Sequence, residues 1–166
     1  KISHSFQNLS KNIKISENNA GKIWTLAYNP THMAGIQVFF QTLLNGNSLV
    51  DVFRKSRNEV YDILGEFHVT NISATPTFYR LLLPFEKEFS FVERVSFGGE
   101  KSDQKLMESI KKIFPNAKTN NIYASTEAGA IFATQGEFFK ITSSVENMVQ
   151  IIDSELFIHE SLVGKS

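Results

Sequence analysis

A chain of 166 residues, 42% of them apolar, is long enough for one compact domain with a core of its own. Its 17 basic and 17 acidic residues cancel, so no global field recruits nucleic acid or an anionic membrane. Cysteine is absent, which excludes disulfides, thiolate metal sites and a cysteine nucleophile. No apolar run approaches the roughly 18 residues that span a bilayer, and no signal peptide is visible. A cytoplasmic enzyme, or a piece of one, fits these bounds. The sequence starts at Lys1 without an initiating Met and ends as abruptly, as an excised fragment does.

Phe6, Leu9 and Ile13 lie at helical spacing behind Ser3 or Ser5, which predicts a helix from residue 4 to about 18. Residues 23–28 read as a strand, stopped by Asn29-Pro30. Thr31 is placed to cap a helix whose apolar face is Met33, Ile36, Phe39, Phe40, Leu43 and Leu44, ending at Asn45-Gly46. A strand at 48–52 follows, then a helix marked by Val60, Ile63, Leu64 and Phe67, then a strand at 69–74. Pro76 suits the first turn of a short helix through Leu83. After a strand at 92–97, Asp103 begins a helix with Leu106, Ile110 and Ile113 on its face, and a strand at 119–122 succeeds it.

Strands alternating with helices imply right-handed crossovers. The expected fold class is α/β, a mainly parallel sheet with helices on both faces. From Ala130 onward the pattern shortens to strands at 131–134, 138–142, 149–152 and 156–159, a short antiparallel C-terminal extension of a single domain.

Two clusters of small and polar residues follow strands: Ser96-Phe97-Gly98-Gly99-Glu100, and the run from Asn120 to Gly129. Small residues let backbone amides approach a ligand, and in an open parallel sheet the carboxyl ends of the strands form the ligand crevice. Taken singly, each has a plainer reading. Gly98-Gly99-Glu100 also suits an ordinary strand-to-helix turn, Tyr123 a core aromatic, and Thr126-Glu127 a helix start favoured by its dipole. His4, His68 and His159 show no metal spacing, and Ser125 has no GxSxG elbow around it. Neither GxGxxG nor GxxxxGK[ST] occurs.

Tyr123-Ala124-Ser125-Thr126-Glu127 resembles the Tyr-Gly-x-Thr-Glu motif of the adenylate-forming superfamily. That superfamily includes acyl- and aryl-CoA synthetases, firefly luciferase and the adenylation domains of peptide synthetases. Phe97-Gly98-Gly99-Glu100 is similar to its adenine-pocket segment, and Phe114-Pro115-Asn116-Ala117 to its approach to the next strand. The run from Tyr28 to Gly35 resembles its Pro-x-x-His-x-x-Gly segment at the acyl pocket, and Glu155-Leu156-Phe157-Ile158-His159 its Gly-Glu-Leu strand. The motifs occur in the family's order over nearly the whole chain.

The resemblance implies a ligase that uses ATP and Mg²⁺ to activate a carboxylic acid as its acyl-adenylate. The acyl group then passes to a thiol of coenzyme A or a carrier protein. Gly98, Gly99, Glu100, Asn121, Ile122, Tyr123, Ala124, Ser125 and Thr126 would hold the nucleotide, with Asn121 on the base edge and Thr126 on a phosphate. Thr126 and Glu127 would carry the catalysis, Glu127 by holding Mg²⁺ as a hard oxygen ligand. His32 would gate the acid pocket without acting as a base, since a carboxylate is already ionised at neutral pH. Ala124 stands for the family's usual glycine, and Ile122, where glycine is common, narrows the acyl pocket. The stretch from Gly129 to Glu155 is short for the family.

The family's phosphate loop would fall before Lys1, and its ribose-binding aspartate and small C-terminal domain beyond Ser166. Residues 1–166 are thus expected to be an internal fragment, the adenine-binding subdomain of the large N-terminal domain, inactive alone. The alternative is a non-catalytic nucleotide-binding or scaffolding relative.

Overall fold

Period-two alternation along the inner strands divides the molecule into two packed faces. In β3 (Asn71–Ala74) and β4 (Arg94–Gly98), Ile72, Ala74, Val95 and Phe97 are buried in one hydrophobic cluster, so Asn71, Ser73, Arg94 and Ser96 face the other way. The computed structural model describes residues 5–10, 13–126, 128–143 and 145–163. A six-stranded sheet runs β2 (Ser48–Asp51), β1 (Ile23–Leu26), β3, β4, β5 (Lys118–Ser125), β6 (Gly129–Thr134). All neighbours pair in parallel except β5 and β6, which are antiparallel. β7 (Val149–Ile152) and β8 (Glu155–Ile158) form a separate antiparallel pair.

The first face is covered by α3 (Arg57–Glu66), α4 (Pro76–Leu81) and α5 (Gln104–Ile113), whose Val60, Leu64, Tyr79, Leu106 and Ile110 join the larger cluster. Each of these helices starts on a side-chain cap. Ser56 and Glu59 form a reciprocal capping box, Thr75 accepts from the Phe78 N–H at 3.1 Å, and Asp103 accepts from the Leu106 N–H at 2.8 Å. On the opposite face α2 (Met33–Leu44) packs Val38 against Trp24 and Tyr28. Among the described residues no helix is long and apolar enough to cross a membrane.

Several elements differ from the sequence expectation. The helix expected from residue 4 to about 18 is α1 (Phe6–Ser10) alone among the described residues, with a 3-10 turn at Glu17–Asn19. Residues 4, 11 and 12 lie outside the described residues. The Ser16 N–H donates to Asn45 Oδ1 at 3.2 Å and Asn19 Nδ2 donates to the Lys14 carbonyl at 2.8 Å, which hold residues 13–19 off the helical path. α2 begins at Met33 behind His32, not Thr31, and its buried stripe is Gly35, Val38 and Thr42. Phe39 and Leu43 of the expected inner face are instead exposed, and Phe6 of α1 packs edge-on against Phe40 at 5.0 Å.

The strand expected at 138–142 does not form: Phe138 is 81% exposed while Phe139 turns in against Tyr123. A lone extended segment without a ladder partner gains nothing from being a strand. The strand placed at 119–122 continues to Ser125 because β6 pairs with it from Asn121 to Ser125.

Candidate functional site

β4 and β5 run in parallel with Gly98 opposite Ile122, so both motifs reach the same edge of the sheet. Gly99 has φ of +80°, the left-handed region that a side chain disfavours, which fixes glycine there for backbone reasons. Gly98 is crowded instead. A Cβ on it would lie 3.1 Å from the Tyr28 hydroxyl. Burial pushes that phenol up to about 12, partly offset by a hydrogen bond with Ser73 and reinforced by the nearby Glu100 charge.

Glu100 braces the loop. Its Oε2 accepts from the Thr77 N–H at 3.1 Å and the Thr77 hydroxyl at 2.6 Å, tying β4's end to the first turn of α4. β5 carries a register shift between Tyr123 and Ala124, and a shift of this kind re-aims side chains near a site. The Ser125 hydroxyl accepts from the Ala128 N–H at 3.1 Å across the turn into β6. Thr126 and Ala128 lie in that turn, so the described part of the motif enters a hairpin and starts no helix. Glu127, the expected metal ligand, lies outside the described residues.

Three cavities meet at this edge. The first, about 400 Å³, is lined by Gly99, Glu100, Asn121, Ile122, Tyr123 and Ala124 from the two motifs, and by Ser102, Glu137 and Phe139. Tyr123 is 40% exposed, and its ring is flanked by Phe132 at 5.9 Å and Phe139 at 6.0 Å. Asn121 is buried, and its Nδ2 donates to the Gly136 carbonyl at 3.3 Å. The hairpin therefore takes an amide donor expected for the base edge, leaving Oδ1, an acceptor suited to an exocyclic amine. The buried Ser102 hydroxyl has no partner among the described residues.

The second cavity, about 920 Å³, is an open mouth where His32 faces Ala124, Ser125 and Thr126, with Tyr28, Phe53 and Thr75 behind. His32 is exposed and occupies the cap position of α2 without a side-chain cap bond. The third, about 270 Å³, is a trough between α2 and the sheet, which Gly98 and Ile122 enter. Gly99 and Ala124 border all three.

The expected nucleotide residues are thus gathered at one edge but divided among compartments. Gly98 belongs to the trough, Ser125 and Thr126 to the mouth, and Glu100, Asn121 and Tyr123 to the first cavity, while Ile122 is shared by the first cavity and the trough. Sequence reasoning missed Tyr28 as the group that would crowd a Cβ at Gly98, and missed Ser102, Glu137 and Phe139. Phe139 was hidden by its place in an expected strand, and Ser102 carried no signal beyond following the glycine pair. No cluster of three His, Asp or Glu that could hold a metal occurs among the described residues.

A family model described as AMP-binding enzyme matches residues 2–153. The chain is 30% identical over 110 residues to bacitracin synthase 3 of Bacillus licheniformis, covering 64% of this chain and 2% of that protein. It is 30% identical over 117 residues to a plipastatin synthase polypeptide of Bacillus subtilis, covering 67% of this chain and 5% of that protein. Among solved structures, o-succinylbenzoate coenzyme A synthetase from Bacillus subtilis, in complex with its acyl-adenylate intermediate, superposes with a TM-score of 0.68 at 22% identity. That match covers 93% of this chain and 34% of the other. A luciferase-like enzyme from the mealworm Zophobas morio superposes with a TM-score of 0.61 at 15% identity, covering 69% of this chain and 28% of that one. At such identities the structural likeness is one of fold, and the chain spans a small part of each relative's length. With the family model matched along nearly the whole sequence, the chain belongs to the AMP-binding enzymes of the adenylate-forming superfamily.

Proposed function

We propose that residues 1–166 are the adenine-binding part of a larger ligase domain that activates a carboxylic acid as its acyl-adenylate. The observation that carries this reading is the meeting of three cavities at Gly99 and Ala124. A purine in the first, phosphates in the mouth and an acid in the trough would bring the α-phosphate and the carboxylate to that junction.

In this reading Tyr123 and Phe139 wall the base and Asn121 Oδ1 accepts from its exocyclic amine. Ser125 and Thr126 lie beside the phosphates, and the Thr126 hydroxyl donates to a phosphate oxygen. His32, across the mouth, positions the acid. A carboxylate oxygen forms the new P–O bond while pyrophosphate departs, and no proton has to move because the acid is already ionised. Glu127 is the carboxylate assigned to Mg²⁺. When bound, the ion offsets the charge that develops on the phosphates. The Ala124 methyl at the junction restricts the closest approach, a cost that a glycine would not impose. Transfer of the acyl group to a coenzyme A or carrier-protein thiol completes the proposed reaction, and the 166-residue chain alone is expected not to perform it.

The test is acid-dependent exchange of labelled pyrophosphate into ATP by the full-length protein that carries this chain. Exchange that requires a carboxylic acid is the expected result. Nucleotide binding with no exchange across a broad acid panel would favour the scaffolding alternative.

A further inference from the structure

The floor of the trough is polar, and its far end is cationic. The sheet register sets Trp24 beside Asn71, Asn71 beside Arg94, and Arg94 beside Lys118, one row across four strands. Two residues further along each strand, on the same face, Ser73, Ser96 and Asn120 form the next row. Gly98 and Ile122 form the row at the junction. Above them α2 presents Gln37 and Gln41, one turn apart, beside Val38. Leu9, Ile13, Ala34 and Ala130 complete walls that are largely apolar, and the hydroxyls and amides among them suit a substrate that also makes hydrogen bonds.

Arg94 lines both the trough and a polar cavity of about 120 Å³ beyond it, which Lys22, Glu93 and Lys118 share. Glu93 is taken by Lys22 at 2.6 Å. Arg94 and Lys118 have no side-chain partner among the described residues. Trp24 is 8% and Asn71 5% exposed, yet Trp24 Nε1 and Asn71 Oδ1 are buried without a hydrogen bond. An indole N–H can only donate. Trp24 and Arg94 border both cavities, whereas Asn71 and Lys118 border only the smaller one, so one unfilled donor and an exposed, unpaired guanidinium meet where the trough adjoins the polar cavity, a place suited to an anion.

We propose that the trough takes a carboxylic acid bearing a second anionic group, a carboxylate at its distal end. Arg94 binds that group at the trough's end, the Trp24 N–H donates to it, and Lys118, in the adjoining polar cavity, adds to the field. Four residues of β4 separate Gly98 from Arg94, about 13 Å of strand at roughly 3.3 Å per residue, less the reach of the guanidinium. That spacing calls for a linear or flat acid with its two charges at opposite ends. The inference rests on the adenylating reading for the identity of the near end, and on the Arg94 row for the far one.

Trp24 borders the trough, so the part of the full-length protein's emission that Trp24→Phe removes reports occupancy. Linear α,ω-dicarboxylates from glutarate to sebacate, and monocarboxylates of equal length, are titrated against that emission and compared in pyrophosphate exchange by the full-length protein. The expected result is one dicarboxylate favoured over its monocarboxylate counterpart by about tenfold or more, the scale of a charge-assisted hydrogen bond. Arg94→Met should bring that ratio close to one, and Arg94→Lys should restore part of it. Equal use of both acid types, or a preference that survives Arg94→Met, overturns the inference and leaves the adenylating reading standing. A dicarboxylate-selective change in Trp24 emission, lost in Arg94→Met and unaccompanied by exchange with any acid, upholds the trough and overturns the adenylating reading instead.

Discussion

Gly98 and Gly99 are adjacent, yet each favours glycine for its own reason: Gly99 for its positive φ, Gly98 because a Cβ would press to 3.1 Å on the Tyr28 hydroxyl, which would have to give way. Tyr28 has to stay neutral to fit, since ionising it would bury a charge between the trough and the mouth. Its folded value of about 12 lies above the ordinary 10.0, so the unfolded chain loses this proton first as pH rises. The stabilisation is complete below pH 10 and is lost between there and about 12. Two pH units correspond to about 3 kcal/mol. Tyr79, fully buried and raised well above its ordinary value by that burial, acts in the same direction. Urea midpoints followed across this range should fall in the native chain, and fall less in Tyr28→Phe. Equal slopes in the two proteins would show that Tyr28 is not the group responsible.

At the scale of elements, the capped helices were readable because their signals are local. Asp103 stands directly before the face of Leu106, Ile110 and Ile113, and the structure gives it the cap bond to the Leu106 N–H. Asp103→Ala should cost about 1 kcal/mol. The Asp103–Arg80 ion pair at 3.0 Å is exposed on both sides and adds little. A chemical-denaturation midpoint unchanged by the substitution would contradict the assignment.

Where the outcome depended on partners distant in sequence, the pattern misled. Phe39 and Leu43 gave α2 an apolar face that looks outward, while Gly35 faces in because a Cβ there would lie 2.2 Å from the Asn29 carbonyl oxygen. The alternation at 138–142 had no ladder to join. Tyr123 was placed just past a strand, though antiparallel pairing with Phe132 keeps it inside one. The compartment each motif residue serves was likewise invisible, because a one-residue step along β5 changes the face a side chain meets.

For the whole molecule, the parallel strands end together, and at that edge the cavity proposed for the base and the trough proposed for the acid adjoin, sharing Gly99, Ile122 and Ala124. The measurement that tests this division most directly is pyrophosphate exchange by the full-length protein with ATP and acid varied independently, in Tyr123→Ala and Gln41→Phe. Tyr123 lines the base cavity and Gln41 the trough, and neither lines the other's cavity. Removing the Tyr123 ring should raise the KM for ATP several-fold, as aromatic stacking worth roughly 0.5–1.5 kcal/mol requires, with the KM for the acid little changed. Filling the trough with Gln41→Phe should do the reverse. If both substitutions move both constants together, or if Tyr123→Ala alters acid selectivity while ATP dependence stays as it was, the assignment of the two cavities is wrong.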